Sequence, residues 1–150
     1  MTQAYTQRFT EVHLLGDWTQ PMTGVAGQTW QTDWESMAIH QRAVYMLFVG
    51  AMAAGATITY RVDQATDAAG ANQKAIAGKA ITQLTQAGGD ATSAVIIEVR
   101  SEELDVDGGF TFVSGISLIG VNDVTFMQLP LFGASNYVPV PTAGWTEIVD

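Results

Sequence analysis

The feature that most constrains the fold of this chain is an alternation of apolar and polar side chains between residues 56 and 64. Ile58, Tyr60 and Val62 alternate there with threonine, arginine and aspartate. Successive side chains of a β-strand point to opposite faces, so a period of two separates the two sets. The segment is therefore predicted to be a strand with one face on a hydrophobic core and the other toward solvent.

Other segments have the β-branched and aromatic content that is typical of strands. They are residues 42–50, 95–100, 110–119 and 124–132, and a weaker alternation predicts a short strand at 80–85. About seven or eight strands at short spacing, with almost no helical periodicity, predict a mainly β, antiparallel sandwich or jelly roll. Two connections have local signals: Gly50 and Gly55 predict a hairpin-like reversal, and SEELD at 101–105 predicts one helical turn.

The two ends of the chain differ from this middle part. Residues 1–33 are polar with isolated large aromatics and are predicted to form an extended arm or an irregular leading segment. Residues 34–132 are predicted to form the sandwich, and residues 133–150 an extended tail. Prolines in the tail disfavour a regular central strand. Its apolar side chains indicate docking on its own domain or on a neighbour. The candidate partner-interface residues are Trp18, Trp30, Tyr137 and Trp145, with capping of the domain's own core as the alternative for the tryptophans.

Composition and charge favour protein partners over other classes. The chain is 47% hydrophobic and only 14% charged, so we expect partners to cover part of its surface. Its net charge of -9 disfavours nucleic acid and anionic membranes. The apolar stretch at 43–56 is shorter than the roughly 20 residues that cross a membrane. The absence of cysteine excludes disulfides and thiol chemistry, and with no secretory signal it predicts assembly in a reducing cytoplasm.

The residue types that carry chemistry do not form a recognisable catalytic or metal-binding motif. His13 and His40 lack histidine partners at ligand spacing, so surface or partly buried histidines are predicted. The acidic loop at 102–107 differs from the EF-hand calcium loop, which has a glutamate at its twelfth position. Counted from Asp105, that position is Ile116, which favours a solvated turn over a cation site. We therefore expect a non-enzymatic protein without cofactor or metal.

Five motifs give the chain a resemblance to a known group of proteins. They are Trp34, Ser36 and Met37 in a W-x-S-M pattern, residues 42–50, residues 64–70 (QATDAAG), residues 79–85 (KAITQLT) and residues 95–106. In this order they resemble small structural proteins of tailed phages, over about half the chain. The resemblance implies a virion-associated β-sandwich. The tryptophan-bearing leader and the proline-rich tail have no counterpart in that pattern.

This resemblance implies a function by assembly. The first expectation is a capsid decoration or cement protein, a homo-oligomer that is assembled in the cytoplasm of a bacterial host and binds across major capsid protein subunits or other neighbouring virion subunits. The alternative is a head-tail neck or tail component. A carbohydrate-binding sandwich with exposed tryptophans is a further alternative of a different class.

Overall fold

The computed structural model describes residues 13–15 and 21–135, with side chains for residues 21–133. Eleven β-strands and one turn of 3-10 helix, Ser101–Glu103, make up this part of the chain. No helix in it is long and apolar enough to cross a membrane. The strands are β1 (His13–Leu15), β2 (Met22–Gly24), β3 (Thr29–Gln31), β4 (Glu35–Ser36), β5 (His40–Met52), β6 (Thr57–Ala65), β7 (Lys74–Ala80), β8 (Leu84–Thr85), β9 (Ala94–Arg100), β10 (Phe112–Val121) and β11 (Val124–Ser135).

The strands form two antiparallel sheets. Sheet A has the order β1, β11, β5, β9, with β2 also paired to β11. Sheet B has the order β3, β10, β6, β7, with β4 also paired to β10 and β8 to β6. Since β1 and β2, β3 and β4, and β7 and β8 share positions, each sheet has four strand positions. In chain order these positions lie in sheets A, B, A, B, B, A, B and A, which is the winding of an eight-stranded jelly roll.

The core lies between the two sheets and confirms the alternation in β6. Ile58, Tyr60 and Val62 are buried, and Tyr45 and Leu47 of β5 are among the residues that complete the core from sheet A. Burying each such side chain contributes roughly 1.5–3 kcal/mol, which makes this layer the main source of stability. Other members of the core include Val49, Ile97, Val99, Val113, Ile119, Val124, Phe126 and Phe132.

One glycine permits a close approach inside this core. A Cβ at Gly115 of β10 would lie 2.6 Å from the Tyr60 hydroxyl and 2.8 Å from the Tyr45 ring. Both tyrosines are fully buried, so neither ring has space into which it can withdraw. The absence of a side chain at Gly115 is therefore what allows the two sheets to pack at this point.

The strand predictions made from β-branched and aromatic runs are confirmed as β5, β6, β9, β10 and β11. The reversal expected between β5 and β6 is present, but the two strands do not pair as a hairpin because they lie in different sheets. Of the short strand predicted at 80–85, only the two-residue β8 is observed, and the longer strand of this region, β7, lies earlier at Lys74–Ala80. Its alanine, lysine and glycine residues suit an edge strand, which gains its structure from pairing with β6.

The sandwich begins earlier in the chain than the sequence indicates. β2 and β3 fall within residues 1–33, yet β2 pairs with β11 in sheet A and β3 pairs with β10 in sheet B. Each contains only three residues, which is too short for a periodic pattern to be seen in the sequence. β11 likewise runs on to Ser135. The remainder of the predicted arm and tail lies outside the described residues, apart from the short β1.

Candidate interaction surface

Of the four predicted interface residues, only Trp30 is described. It lies on β3, is half-buried against the core, and meets the Phe126 ring edge-to-face with centroids 6.3 Å apart. Its indole nitrogen is buried without a hydrogen-bond acceptor within the described residues. Trp30 therefore packs on its own domain, and its role at a partner interface stays a prediction. Trp18, Tyr137 and Trp145 lie outside the described residues.

The described histidine is part of the packed interior. His40 is buried at the start of β5, with its ring centroid 5.4 Å from that of Phe132. Burial disfavours the charged imidazolium and lowers the pKa of His40 below its ordinary value of 6.5. This placement confirms the predicted burial. His13 lies on β1, where only the backbone is described.

The acidic loop at 102–107 has its carboxylates engaged with cations and backbone amides. Glu103 accepts a hydrogen bond from Lys79 Nζ, 2.8 Å away, and another from the Arg100 backbone, and both lower the pKa of its carboxyl. Asp105 is bonded to Lys74 and to the Gly108 amide, which lower its pKa in the same way. Among residues 21–133, no three His, Asp or Glu side chains are grouped so that they could hold a metal ion.

The most unusual surface of the molecule is the outward side of sheet A. On β5 the side chains of Tyr45 and Leu47 point into the core, so the residues between and beside them point outward. The same alternation holds along β9 and β11. We call the resulting surface the sheet A outer face, and its apolar members are Val44, Met46, Phe48, Ala94, Ile96, Met127, Leu129 and Leu131.

Strand register makes the sheet A outer face continuous. Met46 of the central strand β5 lies opposite Leu129 on one side and opposite Ile96 on the other. Directly opposite residues of an antiparallel pair have Cβ atoms roughly 4.5–5.5 Å apart, close enough for side-chain contact. Ile96 is 66% exposed and Phe48 is 37% exposed. The surface is thus apolar, contiguous and partly open over three neighbouring strands.

Charged residues are confined to one end of the sheet A outer face. Glu98 lies 3.5 Å from both Arg42 and Arg100, and Arg100 also reaches Glu102 at 3.6 Å. These side chains are about half-exposed or more, so each pair contributes little to stability, roughly 0–1 kcal/mol. Their arrangement still matters for recognition, since an apolar centre beside a polar rim is typical of protein interfaces.

The outward side of sheet B has a different chemistry. Thr57, Thr59, Arg61 and Asp63 alternate along β6 and point away from the core. Asp63 is buried under its neighbours: Arg61 Nε lies 2.8 Å from its Oδ1, and Gln73 Nε2 donates to its Oδ2 at 2.8 Å. Two aliphatic residues, Ile116 and Leu118, accompany this polar set on β10.

The sequence contains a signal for the sheet A outer face that the strand predictions did not use. Residues 43–49 are apolar at inward and outward positions alike, and residues 126–132 are so except at Gln128. An antiparallel strand with one solvated side is expected to alternate, whereas a continuous apolar run indicates cover on both sides. The sequence does not show whether the odd-numbered or the even-numbered residues of such a strand face the partner sheet. The outward residues could therefore be identified only from the fold.

Comparison with known proteins bears on the fold alone. No protein family matches the sequence, and no characterised protein is significantly similar to it. A chain of the Triatoma virus empty capsid superposes with a TM-score of 0.51 and 8% identity, over 88% of this chain and 93% of that chain. A chain of infectious bursal disease virus strain Gx aligns with a TM-score of 0.45 and 12% identity, over 87% of this chain and 34% of that chain. That second likeness is too weak to add to the argument. The first shows that this chain has a β-sandwich fold that is also found in a viral capsid, which agrees with the strand winding.

Proposed function

We propose that this chain is a structural protein of a virion, and that it acts by packing the sheet A outer face against neighbouring virion proteins. The single observation that carries the proposal is the continuous apolar surface on β5, β9 and β11. The opposite side of the sandwich, on sheet B, is largely polar. In its specific form, the proposal is a capsid decoration or cement protein of a tailed phage, a homo-oligomer that binds across major capsid protein subunits.

The energetics favour a protein partner for this surface. Full burial of an isoleucine or phenylalanine side chain contributes roughly 1.5–3 kcal/mol, so covering the exposed part of Ile96 alone is worth about 1–2 kcal/mol. Association costs freedom of motion, which a single side chain does not offset. Eight apolar side chains on one surface provide a contact large enough to offset this cost. In a shell that repeats the contact many times, modest local affinities are multiplied.

Charge also favours protein over nucleic acid or an anionic membrane. All five lysines and arginines within residues 21–133 lie within 4 Å of a carboxylate, as Arg42–Glu98, Arg61–Asp63, Lys74–Asp105, Lys79–Glu103 and Arg100–Glu98. With a net charge of -9, the chain repels phosphates over distances of about a Debye length. An acidic module of this kind suits the outer surface of a shell.

The proposed role is one of assembly, without catalysis, cofactor or metal. It is supported by the jelly-roll likeness to a viral capsid chain, although a fold by itself does not determine function. The resemblance of the five sequence motifs to tailed-phage structural proteins supports the same role independently. The expected location is the virion, after assembly in the cytoplasm of the host.

The first experiment measures where the chain resides and how often it occurs. Virus particles are purified on a density gradient from a culture in which the gene for the chain is expressed. Quantitative mass spectrometry then gives the copy number of the chain relative to the major capsid protein. A decoration protein is expected at a copy number comparable to that of the shell subunit. A few copies per particle would place it at the neck or tail instead. Its absence from particles would refute the virion role altogether.

The second experiment tests the surface itself. Ile96→Lys places a charge on an exposed residue of the sheet A outer face. This variant is expected to bind at least tenfold less than the parent to particles prepared without the chain. Leu118→Lys is the matched control, because Leu118 is 42% exposed on the outward side of sheet B. Both variants are expected to melt like the parent. Equal occupancy for the two variants would show that the sheet A outer face is not the contact surface.

A further inference from the structure

The end of the sandwich beside the start of β5 contains an apolar cleft of about 330 Å³ that the proposed function does not use. Its base is formed by Met37, Leu104 and Phe110, which are buried. Its wall includes Ala38 and Val106, and Val106 is 57% exposed. A valine open to this extent beside buried aliphatic and aromatic side chains is a place where another apolar group can be received.

Hydrogen bonds on both walls hold the cleft in shape. The Met37 amide donates to the Thr111 carbonyl at 2.8 Å, and the Phe110 amide donates to the Asp105 carbonyl at 3.0 Å. Lys74 Nζ lies over the Phe110 ring, 3.9 Å from its centre. A preformed cleft costs its occupant little ordering entropy on the protein side, which favours binding of a short segment.

The described part of the chain ends beside this cleft. Ser135, the last residue of β11, pairs with His40 of β5. The His40 amide in turn donates to the carbonyl of Met37 at 3.3 Å, and Met37 lines the cleft. Fifteen residues follow Ser135 in the sequence. Because an extended chain spans roughly 3.3 Å per residue, two or three residues suffice to reach the cleft from Ser135.

The chemistry of the residues after Ser135 matches the cleft. Tyr137 and Val138 are the first apolar side chains, and residues 136–146 contain no charged group that would have to be buried. Pro139 and Pro141 lack backbone donors, so this segment is poorly suited to extend the sheet as a regular strand. Such a segment can still contact the domain through its side chains, by inserting them into the apolar cleft.

We propose that Tyr137 and Val138 occupy the apolar cleft of their own chain. The inference is independent of the virion role and concerns how the end of β11 is secured. Docking within one chain is favoured over docking on a second copy, because a tether of two residues keeps the local concentration of the segment in the millimolar range or above.

Cysteine cross-linking tests the contact directly, since the chain has no cysteine of its own. Val106→Cys with Tyr137→Cys is expected to form a disulfide within the monomer under mild oxidation. The control pair joins Tyr137→Cys to Val121→Cys, because Val121 is 51% exposed but lies at the other end of β10. A disulfide-linked dimer from the 106–137 pair would assign the cleft to a second copy and overturn the proposal. Equal disulfide yield from both pairs, or none from either, would also overturn it.

A double-mutant cycle, measured by melting temperature, provides the second test. Truncation after Ser135 is expected to lower the melting temperature by about 3 °C, a shift readily measured for a domain of this size. Val106→Arg, which fills the cleft with a charge, is expected to lower it similarly, and the combined variant is expected to lose no more than either change alone. Val121→Arg is the control, and truncation in that background is expected to retain its full effect. Additive losses in the Val106→Arg background would contradict docking in the cleft.

Discussion

The two outward sides of the sandwich differ in chemistry although the strands that form them are built alike. On sheet B, threonine, arginine and aspartate alternate with core residues along β6, as expected for an antiparallel sheet with one solvated side. On sheet A, Val44, Met46 and Phe48 occupy the corresponding outward positions of β5. The difference shows that the core does not require apolar residues at outward positions, so their presence on sheet A has another cause.

The two sheets also bury ionisable groups in different ways. Asp63 of sheet B is buried and accepts hydrogen bonds from Arg61 and Gln73. His40 of sheet A is buried with Nδ1 unpartnered within the described residues, and its neutral form is favoured. One sheet therefore depends on a polar network and the other on apolar contact, which gives different responses to mutation and to pH.

The largest effect is expected from a charge placed on the inward side of sheet B. Ile58→Asp buries an unpaired carboxylate between the sheets and is expected to cost about 4 kcal/mol of unfolding free energy or to prevent folding. The neighbouring Thr59→Asp points outward and is expected to cost less than about 0.5 kcal/mol. Urea unfolding measures both. Similar losses for the two variants would show that the assigned inward side is wrong.

A smaller effect is expected from the polar network of sheet B. Asp63→Ala removes the acceptor of Arg61 and Gln73 and is expected to lower the unfolding free energy by about 2 kcal/mol, since hydrogen bonds to both residues are lost and each contributes roughly 1 kcal/mol. Asp107→Ala, in the exposed turn after the 3-10 helix, is the control and is expected to have little effect. If the two losses are equal, sheet B does not depend on this network, and the contrast with sheet A fails.

The smallest effect is expected from the buried histidine of sheet A. The folded-state pKa of His40 lies below its unfolded value of 6.5, so the unfolded chain binds more protons as the pH falls. Stability is therefore complete above about pH 6.5 and declines below it, by at most about 1.4 kcal/mol per pH unit.

The measurement for His40 compares urea unfolding at pH 7.5 and pH 5.5 in the parent and in His40→Gln. This window lies above the titration of Glu103 and Asp105, whose pKa values are lowered from 4.5 and 3.8. The parent is expected to lose more stability than the variant over this range, by at most about 1.4 kcal/mol. Parallel losses would show that protonation of His40 is not disfavoured by folding.

Prediction of the fold from the sequence was most successful where a strand contains its own signal. β5, β6, β9, β10 and β11 are rich in β-branched and aromatic residues, and each was placed within a few residues of its observed bounds. β2, β3 and β7 were not predicted. Their sequences are short, or rich in alanine and glycine, and they become strands because β11, β10 and β6 offer backbone partners.

The interface candidates chosen from the sequence and the surface proposed from the fold are made of different residues. Large aromatics were selected as interface candidates, and the one that is described, Trp30, packs against Phe126 of its own core. The aliphatic residues of the sheet A outer face were treated as ordinary strand content. Local sequence does not separate Ile96, which is outward, from Ile97, which is buried, because adjacent apolar residues do not reveal strand orientation.

The sequence by itself determined the class of this protein: a chain of short strands that is acidic, free of cysteine and poor in charged residues. These properties follow from side-chain type and from patterns that extend over only a few residues. Tertiary structure alone decided that β5 and β6 lie in different sheets, and that apolar residues of β5, β9 and β11 collect on one outward surface. Pairing between distant strands sets this outcome, and its free energy comes from partners that no local window of sequence contains.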